Sequence, residues 1–237
     1  MKHPFRSHIL PVFPAVAGAL GLLLRIWLFS ATDEKGLLPA THIADTLLYI
    51  LTAVTLGVLF LATRELTPRP VRKGFFGIPG CVMGAIGLLC SGISLFFGSA
   101  QRFSGIAAIA CIAGGLILLV MAARKFFHKR IPYGFFAVLT ACLMLDTIAS
   151  CQTWGTVSQL QEYFFPLMAS VFLILSTYHA TLLAAGQGKP KLLAFFSQGA
   201  LFFCCVCLNT ARWPLYLGML FWAASQLYSC IRKQKEA

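Results

Sequence analysis

The stretch Gly77–Gly98, GIPGCVMGAIGLLCSGISLFFG, decides how the whole chain is read. Small residues recur in it at Gly77, Gly80, Gly84, Gly87, Ser91, Ser94 and Gly98, in steps of three and four. That spacing gathers them on one side of a helix. The remaining faces carry Ile78, Val82, Ile86, Leu88, Leu89, Leu95 and Phe96. In water such a helix is poor, since each interior glycine costs up to about 1 kcal/mol against alanine. In lipid no hydrophobic force joins helices, and close backbone approach along a small-residue seam supplies the attraction instead. The next apolar stretch repeats the theme with Ser104, Ala108, Cys111 and Gly115 after a short turn, so a tight antiparallel hairpin inside a membrane is expected.

Working outward, the rest of the chain agrees. Of its 237 residues 59% are hydrophobic and only 11% charged, with a mean hydropathy of +0.82. A soluble domain is near 45–50% apolar and about 25% charged, and a core of this size could not hide so much apolar surface. The net charge of +12 comes from short basic runs between apolar segments, a topology signal rather than a nucleic-acid groove. Nucleic acid is therefore excluded as a partner, and the lipid bilayer is the expected one. Nine cysteines lie mostly inside apolar runs, where cysteine behaves as a small hydrophobe. Cys204-Cys205-Val206-Cys207 holds the one CxxC spacing, and no second pair or zinc-like histidine spacing accompanies it, so no metal or other cofactor is expected.

Eight apolar stretches approach the roughly 20 residues that a span needs: 9–30, 42–63, 75–97, 104–123, 133–150, 163–185, 192–208 and 214–231. Prolines 11, 39, 79, 132, 166, 190 and 214 fall near their starts, where a missing N–H does least harm. Phe29 is too large for the minus-three position of a signal-peptidase site, so the first helix is expected to stay uncleaved. The fold class expected is all-α, a bundle of eight transmembrane helices in one integral membrane domain, 1–237. Fifteen of the nineteen lysines and arginines fall on one side of such a bundle, and only Lys35, Arg102 and Arg212 on the other. The positive-inside rule then puts both termini in the cytoplasm. The lack of an organelle signal points to the plasma (inner) membrane of a bacterium. The loop lengths alternate, and Ser99-Ala100-Gln101-Arg102-Phe103 resembles Asn209-Thr210-Ala211-Arg212-Trp213. A parallel repeat with halves 1–123 and 132–231 is one account of this; coincidence in a small alphabet is the other.

Ionisable side chains inside lipid are costly, so each is a candidate functional residue. Arg25 falls about 16 residues into the first helix and Asp146 about 13 into the fifth, both toward the outer side. Asp45 lies one turn into the second helix from that side. The three share a depth band, with Arg102 and Arg212 just above it on short turns. An Arg25–Asp146 pair would offset the cost of burying either charge. The functional reading is a pocket for a small polar or anionic solute, with Arg25, Asp45, Asp146, Arg102 and Arg212 as substrate-binding candidates. The alternative is an ion pair that only fixes helix register, or an arginine that snorkels to the interface. Deeper toward the cytoplasm, His179, Gln198 and Gln226 are candidates for a polar relay or for hydrogen-bonding glue between helices.

Enzyme motifs such as GxSxG, HExxH, GxxxxGK[ST] and GxGxxG are absent, so no catalytic residue is assigned. His42 and Asp45 share a helix face, but no second histidine half-site accompanies them. The leading expectation is a small-solute permease, or the substrate-binding membrane subunit of one working with a partner membrane protein or ATPase. A scaffold or regulatory subunit acting through the small-residue seam is the second reading, and an intramembrane enzyme the third.

Overall fold

A computed structural model describes residues 6–31, 42–64, 77–98, 102–129, 131–154 and 160–231. The basic run Arg69–Lys73, the basic residues of the C-terminal tail, Lys35 and the side chain of Arg102 lie outside the described residues. Eight α helices and no strand occur among those described: α1 (Arg6–Ser30), α2 (Ile43–Arg64), α3 (Gly77–Gly98), α4 (Arg102–Phe126), α5 (Tyr133–Trp154), α6 (Phe164–Ala184), α7 (Pro190–Val206) and α8 (Trp213–Ile231). Short 3-10 turns at Leu160–Tyr163 and Cys207–Asn209 lead into α6 and out of α7.

Seven of these helices, α1 to α7, are long and apolar enough to cross a membrane. Their outward faces say the same. On α1 the exposed stripe is Val12, Val16, Leu20, Leu23 and Trp27, and on α2 it is Ile43, Leu47, Ile50, Val54, Val58 and Leu61. Buried and exposed faces are both apolar, which suits a helix bathed in hydrocarbon and would be an aggregation surface in water. The chain fits a multi-pass membrane protein. α8 carries Gln226 and four aromatic residues with polar tips, and its Met219, Trp222 and Leu227 are fully buried.

The helices alternate in direction. Arg25 near the end of α1 meets the end of α7 and the turn before α6, while the Lys191 Nζ at the start of α7 donates to Arg64 O at the end of α2 at 2.8 Å. The face where α1 ends is called distal below, and the opposite one proximal. Helices α3, α4, α5, α6, α7 and α8 form a closed ring of neighbours, and the α1–α2 pair packs outside it against α7. α6 lies along α7, but α2 and α3, their counterparts in a 4+4 repeat, share no comparable interface. The contacts thus do not establish a repeat.

The seam on α3 is answered by a different helix from the one its sequence suggests. Side-chain growth at Gly80 would meet Ser225, and at Gly87 the Pro214 carbonyl and Gly218 Cα, all of them on α8. Gly84 faces Trp222 of α8 and Leu118 of α4 together. The hairpin partner α4 takes the adjoining strip instead: Gly92 meets Ala108 O, Cys111 and Ile112, and Gly115 of α4 meets Leu89 and Ala85 O. α3 is therefore held between two helices by two narrow strips. Gly77 packs on the Lys125 stem. Ser94 leaves the seam: it is exposed, and its hydroxyl donates to Ser91 O at 2.9 Å.

Candidate functional site

The polar groups of the distal half converge on α5 and on the turn between α7 and α8. Asp146 and Ser150 stand one helical turn apart on the same face of α5. Arg212 ends the short turn after Cys207–Asn209, and its guanidinium reaches down into the bundle. There it donates to Asp146 Oδ1 at 2.7 Å, Ser150 Oγ at 3.0 Å, Ser91 Oγ at 3.2 Å and Cys111 Sγ at 3.3 Å. The Cys111 thiol in turn donates to Asp146 Oδ1 at 3.4 Å. One side chain thereby ties the turn before α8 to α3, α4 and α5. The side chains of Arg212 and Asp146 are 19% and 5% exposed, so the pair is largely withdrawn from solvent.

Asp146 is thus paired with Arg212 and not with Arg25. The reason is tertiary: α1 packs on α7 and α2 and has no comparable interface with α5, so Arg25 cannot reach that carboxylate. Arg25 is 2% exposed and turns toward the distal end of α7. Its guanidinium donates to Glu162 O at 3.1 Å and, at 3.5 Å each, to Val206 O and Cys207 Sγ. It also stands over the rings of Phe29 and Phe165 at 5.5 and 5.7 Å. Carbonyls at a helix C-terminus carry partial negative charge and lack helical donors, so Arg25 caps α7. No carboxylate among the described residues pairs with it.

The two arginine clusters are joined. Tyr216, 3% exposed on the first turn of α8, lies near Cys207 as well as near Arg212 and Asp146. A polar centre therefore runs from α1 through α8 to α5. Among the described residues it holds two guanidinium groups against one carboxylate, a formal surplus of one positive charge in a weakly screened setting.

The other expected residues lie elsewhere. Asp45 is half-buried in the first turn of α2, where the helix dipole favours a carboxylate. Its neighbour His42 accepts from the Ala44 backbone N–H at 3.2 Å and meets the Trp27 ring edge-on at 5.4 Å, an end-capping role. On the proximal side His179 stacks flat on Phe196 at 5.0 Å. The hydroxyls of Ser176 and Ser197 share a 2.8 Å hydrogen bond across α6 and α7. Gln198 is fully buried with neither amide atom partnered, and Gln226 is buried on α8. His179, Gln198 and Gln226 are not linked by hydrogen bonds into a relay. An apolar groove of about 520 Å³ between α1 and α2, lined by Leu20, Leu24, Trp27, Leu47, Leu51 and Val54 among others, does not include Arg25.

Cys111, Ser150, Cys207 and Tyr216 belong to the polar centre although nothing in the sequence singled out a chemical role for them. The signals present were faint: Ser150 four residues after Asp146, and Arg212 directly before a Trp-Pro helix start. No group of three or more potential metal ligands occurs among the described residues. No family model matches the chain, and neither a curated protein nor a solved structure is significantly similar to it.

Proposed function

We propose that this chain is an eight-span integral membrane protein with both termini in the cytoplasm, binding a small anion in the outer half of its bundle. It acts as a permease or as the substrate-binding membrane subunit of one, with energy from an ion gradient or a separate ATPase. The distal face is the outer one, since the basic residues gather at the opposite side. α8 serves as the eighth span: its 19 residues cover about 28 Å, and burial inside the bundle shields Tyr216, Trp222, Ser225 and Gln226 from lipid.

The observation that carries the anion reading is Arg25. A buried cation is costly unless it is paired, and this one is held by carbonyls and a thiol, while the only carboxylate of the centre among the described residues is engaged by Arg212. An incoming anion would supply the missing charge. The scaffold reading draws no support from the seam, because α8 and α4 already cover it.

The test is a thermal-shift series on the purified full chain with chloride, formate, acetate, phosphate and sulfate at matched cation. An anion present at 100 times its Kd stabilises by about 2.7 kcal/mol, which for a chain this size is a shift of about 5–10 °C. The increment is expected to vanish in Arg25→Gln and to persist in Arg124→Gln. No increment with any anion, or one that survives Arg25→Gln, refutes the reading. Reporter fusions that placed the two termini on opposite faces would refute the topology.

A further inference from the structure

We infer that Thr55 and Gln198 form an internal hydrogen-bonding site at mid-membrane depth, between α1, α2 and α7, that holds one small molecule offering both a donor and an acceptor: water, or a hydroxyl or amide group of a solute. The inference rests on the membrane fold and not on the anion site around Arg25.

Register brings the two residues to one level. Gly18 of α1 abuts Cys205 and Phe202 O of α7, and Gly21 of α1 abuts Val206 of α7 and Leu48 of α2. α1 and α7 run the same way, so stepping one turn proximally from the Gly18–Phe202 contact reaches Pro14 on α1 and Gln198 on α7. α2 runs the other way, so stepping two turns from the Gly21–Leu48 contact reaches Pro14 again and Thr55. The proximal ring contact between Phe60 of α2 and Phe195 of α7, with centroids 6.3 Å apart, keeps the same register. Gln198 is the central residue of α7, about 12 Å from either end.

Three observations make this level chemically unusual. Gln198 is 0% exposed and Thr55 1%, and the Thr55 hydroxyl and both polar atoms of the Gln198 amide have no protein partner. Thr52, Thr63, Thr140, Thr147, Thr177 and Thr181 all donate back to the carbonyl four residues earlier; Thr55 does not, although the same bond is open to it. Pro14, buried on α1, has no N–H, so the carbonyl of residue 10, one turn proximal to this level, lacks its helical donor. In hydrocarbon each unsatisfied group of this kind is costly, and so many at one level mark a place where something polar is held. A molecule that accepts from the amide nitrogen and donates to the amide oxygen or to the hydroxyl satisfies the set.

The experiment compares the purified full chain with Thr55→Val, Gln198→Leu and the double variant by thermal unfolding in detergent. If a molecule bridges the two side chains, each single variant melts about 2–4 °C lower and the double variant little lower than either, because the shared molecule is lost once. If the site is dry, removing an orphan polar group raises the melting temperature, and that result, or no change, overturns the inference. Thr55→Val keeps the side-chain shape, so it decides the matter even if Gln198→Leu does not fold. Exhaustive dialysis separates the sources: a solute-filled wild type loses the extra stability, and a water-filled one keeps it.

Discussion

Gly87→Ala puts the α3–α8 crossing to a direct test. A methyl group built on Gly87 would collide with the Pro214 carbonyl and lie 2.8 Å from Gly218 Cα and 3.1 Å from Gly218 N; one built on Gly218 would lie 2.6 Å from Met83 O and 2.7 Å from Gly87 Cα. All of these are backbone atoms, so no rotamer change relieves them. The helices must separate by about 1 Å to restore ordinary contact, and a close-packed pair loses a quarter to a half of each contact's attraction over such a gap. Overpacking of this kind costs about 1–3 kcal/mol. Helix propensity works in the opposite direction, since alanine is favoured over an interior glycine by about 0.5–1 kcal/mol. A net loss of about 1–2 kcal/mol is expected, or roughly 2–8 °C in melting temperature. Gly57→Ala is the control, because nothing lies within 4 Å of its added methyl; it should show the propensity gain alone. The assay is thermal unfolding of the full chain in micelles with a thiol-reactive dye, which reads exposure of the buried Cys81, Cys111, Cys204 and Cys207. Gly87→Ala and Gly218→Ala should be less than additive, as the first methyl already opens the crossing. Gly87→Ala melting at or above Gly57→Ala would refute the close approach.

Asp146→Asn should cost about 3 kcal/mol in the same assay, the low end of the range for breaking a buried pair because Arg212 retains some exposure. Asp146→Leu combined with Arg212→Leu should recover most of that loss, and a double-mutant cycle checks it. The turns after α4 and α6 supply an opposed pair. Gly186 has φ +81° and its neighbour Gln187 donates to Leu182 O at 2.9 Å, while His128 has φ +54° with Lys129 donating to Arg124 O at 2.9 Å. Both close their helices with a left-handed residue. Gly186→Ala should destabilise by about 1–2 kcal/mol, and His128→Gly should stabilise by a few tenths to about 1 kcal/mol, each read from the melting midpoint. Lys191→Met removes the 2.8 Å bond to the last carbonyl of α2 and should cost about 0.3–1 kcal/mol.

The legible parts of this molecule are those that depend on short stretches. Hydropathy places all eight helices within a few residues of their observed ends, because a span is a local length of apolar chain. Trp222, at the middle of α8, is fully buried. The α3 seam is equally plain, since spacing of three and four defines a face whatever that face meets. Its partner was not legible. Proximity in the chain favours α4, and α8 lies more than a hundred residues away, yet Gly218 and Ser225 complete the seam. The candidate site divides in the same way. Arg25, Asp146 and Arg212 stand out because charge is rare in apolar segments, but which of them pair depends on helix neighbours.

Composition and periodicity by themselves determined the solvent of this chain, its helical class, the approximate span limits and the few residues whose burial needs a compensating partner. They could do so because transfer of each segment to hydrocarbon is nearly a sum over its own residues. Only the tertiary structure decided that Arg212 takes Asp146 and that Arg25 caps α7 with no carboxylate among the described residues beside it. Those are matters of which helices are neighbours, and in lipid that choice rests on shape and hydrogen bonding between distant faces, which no local stretch of sequence encodes.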